Sequence, residues 1–171
     1  MPHKIKIGLL GLVAGMVTIA TSFIPFAVLV LPGFIFGLLI FRQYKFFKHN
    51  WAIVLISGIS YFVAMWLVVY SGLGNDYAKE PMLTSRQLWV LGGAVGGSML
   101  GIGLRLLQII NTKHIFALSL LSAVIMFFIP ADYTEWVGNV PNIYILFPVW
   151  QGIVAFYLAF TSNEERLLNA V

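Results

Sequence analysis

Long apolar runs alternate with short polar breaks along this chain, and the breaks carry the charges. No Asp, Glu, Lys or Arg occurs in residues 7–41, 49–75, 87–104, 114–131 or 136–163. Uncharged runs of this length read as bilayer-spanning segments. Four spans follow directly: Trp51–Tyr70, Leu88–Leu107, Thr112–Ile129 and Ile143–Phe160, each 18 to 20 residues long. At 1.5 Å per residue each is long enough to cross a hydrocarbon core about 30 Å thick. Trp51, Tyr70, Trp89 and Tyr144 mark span ends, as expected of an aromatic belt at the headgroups.

The first apolar block, Ile7–Phe41, has 35 residues, long for one span and short for two. Thr21-Ser22-Phe23-Ile24-Pro25 lies near its middle, and Pro32-Gly33 follows. Proline lacks a backbone donor and disfavours helix in the residue before it, so the block reads either as a hairpin turning near Ser22–Pro25 or as one kinked helix. Charge decides between them. Two crossings place Lys4, Lys6, Arg42, Lys45, Lys48, Arg105, Lys113 and Arg166 on one side, and only Lys79 and Arg86 on the other. One crossing moves Lys4 and Lys6 across and reduces eight against two to six against four. The positive-inside rule selects the first arrangement. The expectation is an all-α integral membrane protein: a compact bundle of six transmembrane helices with both termini cytoplasmic, multi-pass in the plasma (inner) membrane. A short or re-entrant second crossing is the alternative, and it changes neither terminus. Residues 1–22 also resemble a signal peptide, but Ala20-Thr21-Ser22 is a poor cleavage site, and the segment is taken as a span.

Composition agrees. Of 171 residues, 60% are hydrophobic and 9% charged, with a mean hydropathy of +0.94, against roughly 25% charged in soluble domains. No linker or low-complexity tract divides the chain, so residues 1–171 read as one polytopic domain. Cysteine is absent, which excludes disulfides and thiolate metal sites. The formal charge of +4 comes from bases at span ends, so it reports orientation in the bilayer and not a nucleic-acid partner.

Residues 91–103 are the most distinctive stretch. Gly93, Gly97 and Gly101 recur every four residues, and Gly92 and Gly96 form a parallel row. Lipid supplies no hydrophobic drive between helices, so close backbone approach must hold them together. This face is expected to pack closely against another helix, of the same chain or of a partner subunit; a glycine-lined solute path is the other reading. No strand precedes the glycines and no Lys-Ser or Lys-Thr follows, so they are not a phosphate loop. Gly11 and Gly15 repeat the pattern more weakly in the first span.

Arg105 and Gln108 continue this segment toward the cytoplasmic side. Arg105 either snorkels to the headgroups or anchors an anionic group. Gln151, beside Pro148 and Gly152, is the most clearly intramembrane amide and needs a hydrogen-bonding partner. Asp76, Lys79, Glu80, Asp132 and Glu135 fall in the outer loops 72–86 and 130–142 and read as solvated, without a calcium-binding spacing. Tyr133 and Trp136 suggest a short helix lying in the outer interface. His3, His49 and His114 sit at span ends without paired metal-ligand spacing. No histidine or lysine lies deep in a span, and no carboxylate pair is available within one. Hydrolytic, haem-binding and retinal-binding chemistry therefore finds no residues, and neither a catalytic site, a metal nor a cofactor is expected.

Two functions fit. The first is a non-catalytic subunit or binding module that works through helix packing with itself or another membrane protein. The second is a small-solute transporter or channel whose path is lined by Arg105, Gln108 and Gln151. In span number and length the chain resembles the substrate-capturing subunits of vitamin uptake transporters. That resemblance is one of outline and carries over no residues.

Overall fold

The computed structural model describes residues 3–20, 29–41, 50–77, 83–128, 136–137 and 140–161. Six helices make up almost all of them: α1 (His3–Ile19), α2 (Leu31–Phe41), α3 (Asn50–Tyr77), α4 (Ser85–Leu106), α5 (Lys113–Phe128) and α6 (Asn142–Thr161). A two-residue antiparallel pair, β1 (Trp136–Val137) with β2 (Val140–Pro141), joins α5 to α6. Trp136 therefore lies in a strand and not in an interfacial helix. The turn expected at Ser22–Pro25 lies outside the described residues. So do Tyr133, His49, Arg42, Lys45, Lys48, Arg166 and the loop charges Lys79, Glu80, Asp132 and Glu135.

Two helices, over Trp51–Tyr70 and Arg86–Leu106, are long and apolar enough to cross a bilayer; Leu31–Ile40, Lys113–Phe128 and Ile145–Thr161 are shorter apolar stretches. The helix boundaries differ from the apolar ones for local reasons. α3 continues to Tyr77, because charge marks a change of surroundings and not the end of backbone hydrogen bonding. α4 starts at Ser85 on a capping box: Gln87 N–H donates to Thr84 Oγ1 (3.3 Å), and Thr84 N–H donates to Gln87 Oε1 (2.7 Å). Two of the helix's unpaired N–H groups are thereby satisfied.

The helices form an up-and-down ring in chain order. α1 packs on α2 and α6, α2 on α3, α3 on α4, α4 on α5, and α5 on α6. Cross-helix neighbours establish that the pairs run antiparallel. Gly101, Gly97 and Gly93 descend α4 against Ile115, Leu118 and Ser122 of α5. Gly8, Gly11 and Gly15 meet Phe156, Ala155 and Pro148 of α6 in the same fashion. α2 accompanies only half of α3: Gly37 lies against Val54, and Gly33, near its start, against Ser57 and Tyr61.

Side chains sort inside out. Large apolar residues are exposed on every helix, among them Leu9 and Val13 on α1, Leu38 on α2, Leu55 and Trp66 on α3, Ile102 on α4, Phe116 and Phe128 on α5, and Phe156 on α6. The interior buries Thr18, Ser57, Ser60, Ser122 and Gln151 together with Phe36, Tyr61, Phe147 and Trp150.

Candidate functional site

The glycines of α4 are divided between two partners, both within this chain. A Cβ on Gly97 would fall 2.5 Å from the Leu118 carbonyl oxygen, and one on Gly93 2.8 Å from that of Ser122. Gly101 would meet the Ile115 Cα at 2.9 Å. This row holds α5. The other row holds α3: Gly92 against Val68 (2.5 Å), Gly96 against Ala64 (2.9 Å) and Gly103 against Ile56. Residues three and four apart lie on adjacent strips of one helix surface, so one glycine-rich helix presents two grooves. Ser119 Oγ–H adds a 3.0 Å bond to the Ala94 carbonyl across the α4–α5 contact. Gly11 and Gly15, the weaker pattern by sequence, make the tightest approach: their Cβ atoms would overlap the Gln151 carbonyl and the Pro148 backbone of α6.

Gln151 is fully buried where α6, α1 and α2 meet. Its Nε2 donates to Thr18 Oγ1 (3.2 Å) and to the Pro32 carbonyl (3.3 Å), while Thr18 Oγ1–H donates to Ala14 O (2.9 Å). Both acceptors require the amide nitrogen on that side, so the orientation is set by its partners. Its Oε1 meets no donor among the described residues.

Arg105 and Gln108 are elsewhere. Arg105 is exposed at the end of α4, with Nε donating to Thr112 Oγ1 (3.1 Å). Gln108 has a φ of 61°. Gln108 N–H donates to Arg105 O and Ile109 N–H to Leu104 O, both at 2.9 Å, which is a Schellman termination with Gln108 at its left-handed position. Leu104 and Ile109, both buried, supply the apolar contact that accompanies the motif. Gln108 thus serves to turn the chain. The structure does not bring Arg105, Gln108 and Gln151 to one place.

It does bring together residues that the sequence left apart. A recess inside the ring is lined by Ser57, Ser60, Tyr61 and Val68 of α3, Trp89, Gly92, Gly93 and Gly96 of α4, Met126 of α5, and Phe147 and Trp150 of α6. Ring centroids lie 6.2 Å apart for Tyr61–Phe147, 6.4 Å for Tyr61–Trp150 and 5.6 Å for Phe36–Trp150, within the range of favourable aromatic contact. Trp150 Nε1–H donates to Ser122 Oγ (3.1 Å), so its one polar group is paired and its face is left to the recess. Trp89, expected in the headgroup belt, is instead buried and turned into the ring. The signal for this site was slight: Tyr61, Phe147 and Trp150 lie within the apolar runs, away from the ends where aromatics of a span normally collect.

Among the described residues no group of three or more His, Asp or Glu side chains could hold a metal ion. Compared with known family models, curated proteins and solved structures, the chain shows no match to any of them.

Proposed function

We propose that this chain is a multi-pass protein of the plasma (inner) membrane, with six crossings and both termini cytoplasmic, that acts as a non-catalytic binding module. The observation that carries the membrane reading is the reversed distribution of polarity. An exterior with Leu, Phe and Trp exposed all round would drive association in water, whereas lipid is its natural solvent. Hydroxyls and an amide are kept inside, where helices supply hydrogen-bonding partners.

Sidedness has separate support. Lys4 stacks on Phe160 at 5.0 Å, His114 is hydrogen-bonded to Tyr157 at 2.7 Å, and Arg105 to Thr112. These contacts gather Lys4, Arg105 and Lys113, with Lys6 one turn from the start of α1, at one end of the ring. Arg86 lies at the other, 5.7 Å from the Phe127 ring. Four bases against one, among the described residues, is the bias expected of a cytoplasmic face.

The binding reading rests on the interior. Both glycine rows of α4 are spent on α3 and α5, so they offer no free groove to a partner subunit, and the aromatic recess is the better candidate for what the protein binds. A transporter of a small, largely apolar solute is the second reading, and the same recess favours it. Reporter fusions or single-cysteine labelling at Lys4 and Asn169 test the topology, with both positions expected on the cytoplasmic side. Positions on opposite sides, or release of the protein by alkaline carbonate, would sink it.

A further inference from the structure

The seams of the ring are not equivalent. Glycines bring backbone to backbone or side chain across α1–α6 (Gly11, Gly15), α2–α3 (Gly33, Gly37), α3–α4 (Gly92, Gly96) and α4–α5 (Gly93, Gly97). Among the described residues no glycine reaches across α5–α6 or α1–α2; of these two seams α5–α6 is the less extensively packed, and Gln151 additionally bridges Thr18 of α1 and Pro32 of α2. α5 and α6 are fastened by side chains: Trp150 Nε1–H to Ser122 Oγ at 3.1 Å, and His114 to Tyr157 at 2.7 Å with their rings edge to face. Close glycine contacts lose packing along a whole groove if the helices part. Two side-chain hydrogen bonds between helices in lipid are individually weak, because the separated helices can find other partners. The α5–α6 seam is therefore the one that opens most readily.

That seam borders the recess. Met126 of α5 and Leu146, Phe147 and Trp150 of α6 line one wall of it. As it stands the recess has a volume of about 30 Å³, far below the ~150 Å³ of a cavity that takes benzene, so any ligand larger than a few atoms requires the wall to move. Apart from Ser57, Ser60 and the Tyr61 hydroxyl its lining is aromatic, aliphatic and glycine, with no charged group, which suits a molecule that partitions into the bilayer and not one that arrives from water.

We propose that the recess is a binding site for an uncharged hydrocarbon chain or ring dissolved in the bilayer, admitted sideways by separation of α5 from α6. The proposal rests on the membrane reading above and adds to it a ligand class and a route. It accounts for Trp150 being held at the wall by one hydrogen bond, to Ser122, and by ring contacts with Phe36 and Tyr61, because breaking that bond frees the indole without disturbing a backbone contact.

Absence of cysteine makes the test clean. A background with Trp51, Trp66 and Trp136 replaced by Phe keeps Trp89 and Trp150 as reporters at the recess. Purified protein in detergent is titrated with bromodecane, whose heavy atom quenches indole on contact. Quenching is expected to have a saturable component. In the same background His114→Cys with Tyr157→Cys allows α5 and α6 to be bridged by a short bis-methanethiosulfonate reagent after purification, so that folding is not at issue. Bridging is expected to abolish the saturable component, and reduction to restore it. A phosphatidylcholine brominated near its chain ends, used in place of bromodecane, tells a lipid tail from a free hydrocarbon; saturable quenching by either supports the site. Quenching that is wholly linear in probe concentration overturns the site, and saturable quenching unchanged by the bridge overturns the route. Either result in protein that resists carbonate extraction leaves the membrane reading standing.

Discussion

Gln108 illustrates how a polar residue near the end of a span can be structural. Its φ of 61° is a left-handed conformation that costs a residue with a Cβ roughly 1–2 kcal/mol, and the position is one where glycine is usual. Gln108→Gly is therefore expected to raise thermal stability, by about 0.5–1 kcal/mol after the greater freedom of glycine in the unfolded chain is subtracted. Thermal denaturation in detergent reads this directly, and a loss of stability would mean that the amide side chain holds the α4–α5 turn in a way that the backbone bonds do not. From the sequence, Gln108 and Arg105 looked like a pair because they are three residues apart on one helix. The helix ends between them, and backbone geometry at a helix end is weakly written in sequence when the residue in the left-handed position is not glycine. Gln151 was legible as a buried amide needing a partner, but its partners lie on α1 and α2, 133 and 119 residues away, a distance over which spacing says nothing.

Between elements, glycines set how closely helices approach, and their consequences differ with what each one faces. Gly15 lies against the Pro148 backbone, which cannot yield, whereas Gly8 faces Phe156, whose half-exposed ring can swing outward. Gly15→Ala is expected to destabilise by about 1–3 kcal/mol or more through overpacking. Gly8→Ala should stay within about 1 kcal/mol of the parent, since the alanine also favours helix by about that much. Equal losses at both positions, measured by detergent-solubilised melting, would refute the argument from rigidity. α2 poses a separate question. Its 11 residues rise only about 16 Å at 1.5 Å each, half of a hydrocarbon core, and its start lies beside Tyr61 near the middle of the apolar stretch of α3. A cysteine replacing Leu31 should thus resist a membrane-impermeant maleimide applied from either side. Labelling from outside would place the start of α2 at the surface and make these 11 residues a full crossing by themselves.

Taken whole, the molecule was legible where a single segment carries the signal. Uncharged runs located α3, α4, α5 and α6 to within a few residues, apart from the extension of α3 past Tyr70, and the spacing of glycines drew attention to α4, whose glycines lie against α3 and α5. What could not be read was convergence: Tyr61, Trp89, Phe147 and Trp150 belong to three helices and meet only because the chain closes on itself. That closure has its own consequence for how the protein is made. Five of the six seams join helices that follow one another in sequence, so each can form as soon as the next segment is inserted. The sixth, α1 on α6, cannot. On the proposed topology, from the moment α1 enters the bilayer until α6 emerges more than a hundred residues later, the groove at Gly8, Gly11 and Gly15 would face lipid or whatever helix is nearby. Small-residue grooves of this kind bind other helices readily. The nascent chain would then pass through a stage in which its first helix is exposed to wrong partners, including the first helix of another copy, and arrival of α6 would be the event that ends it.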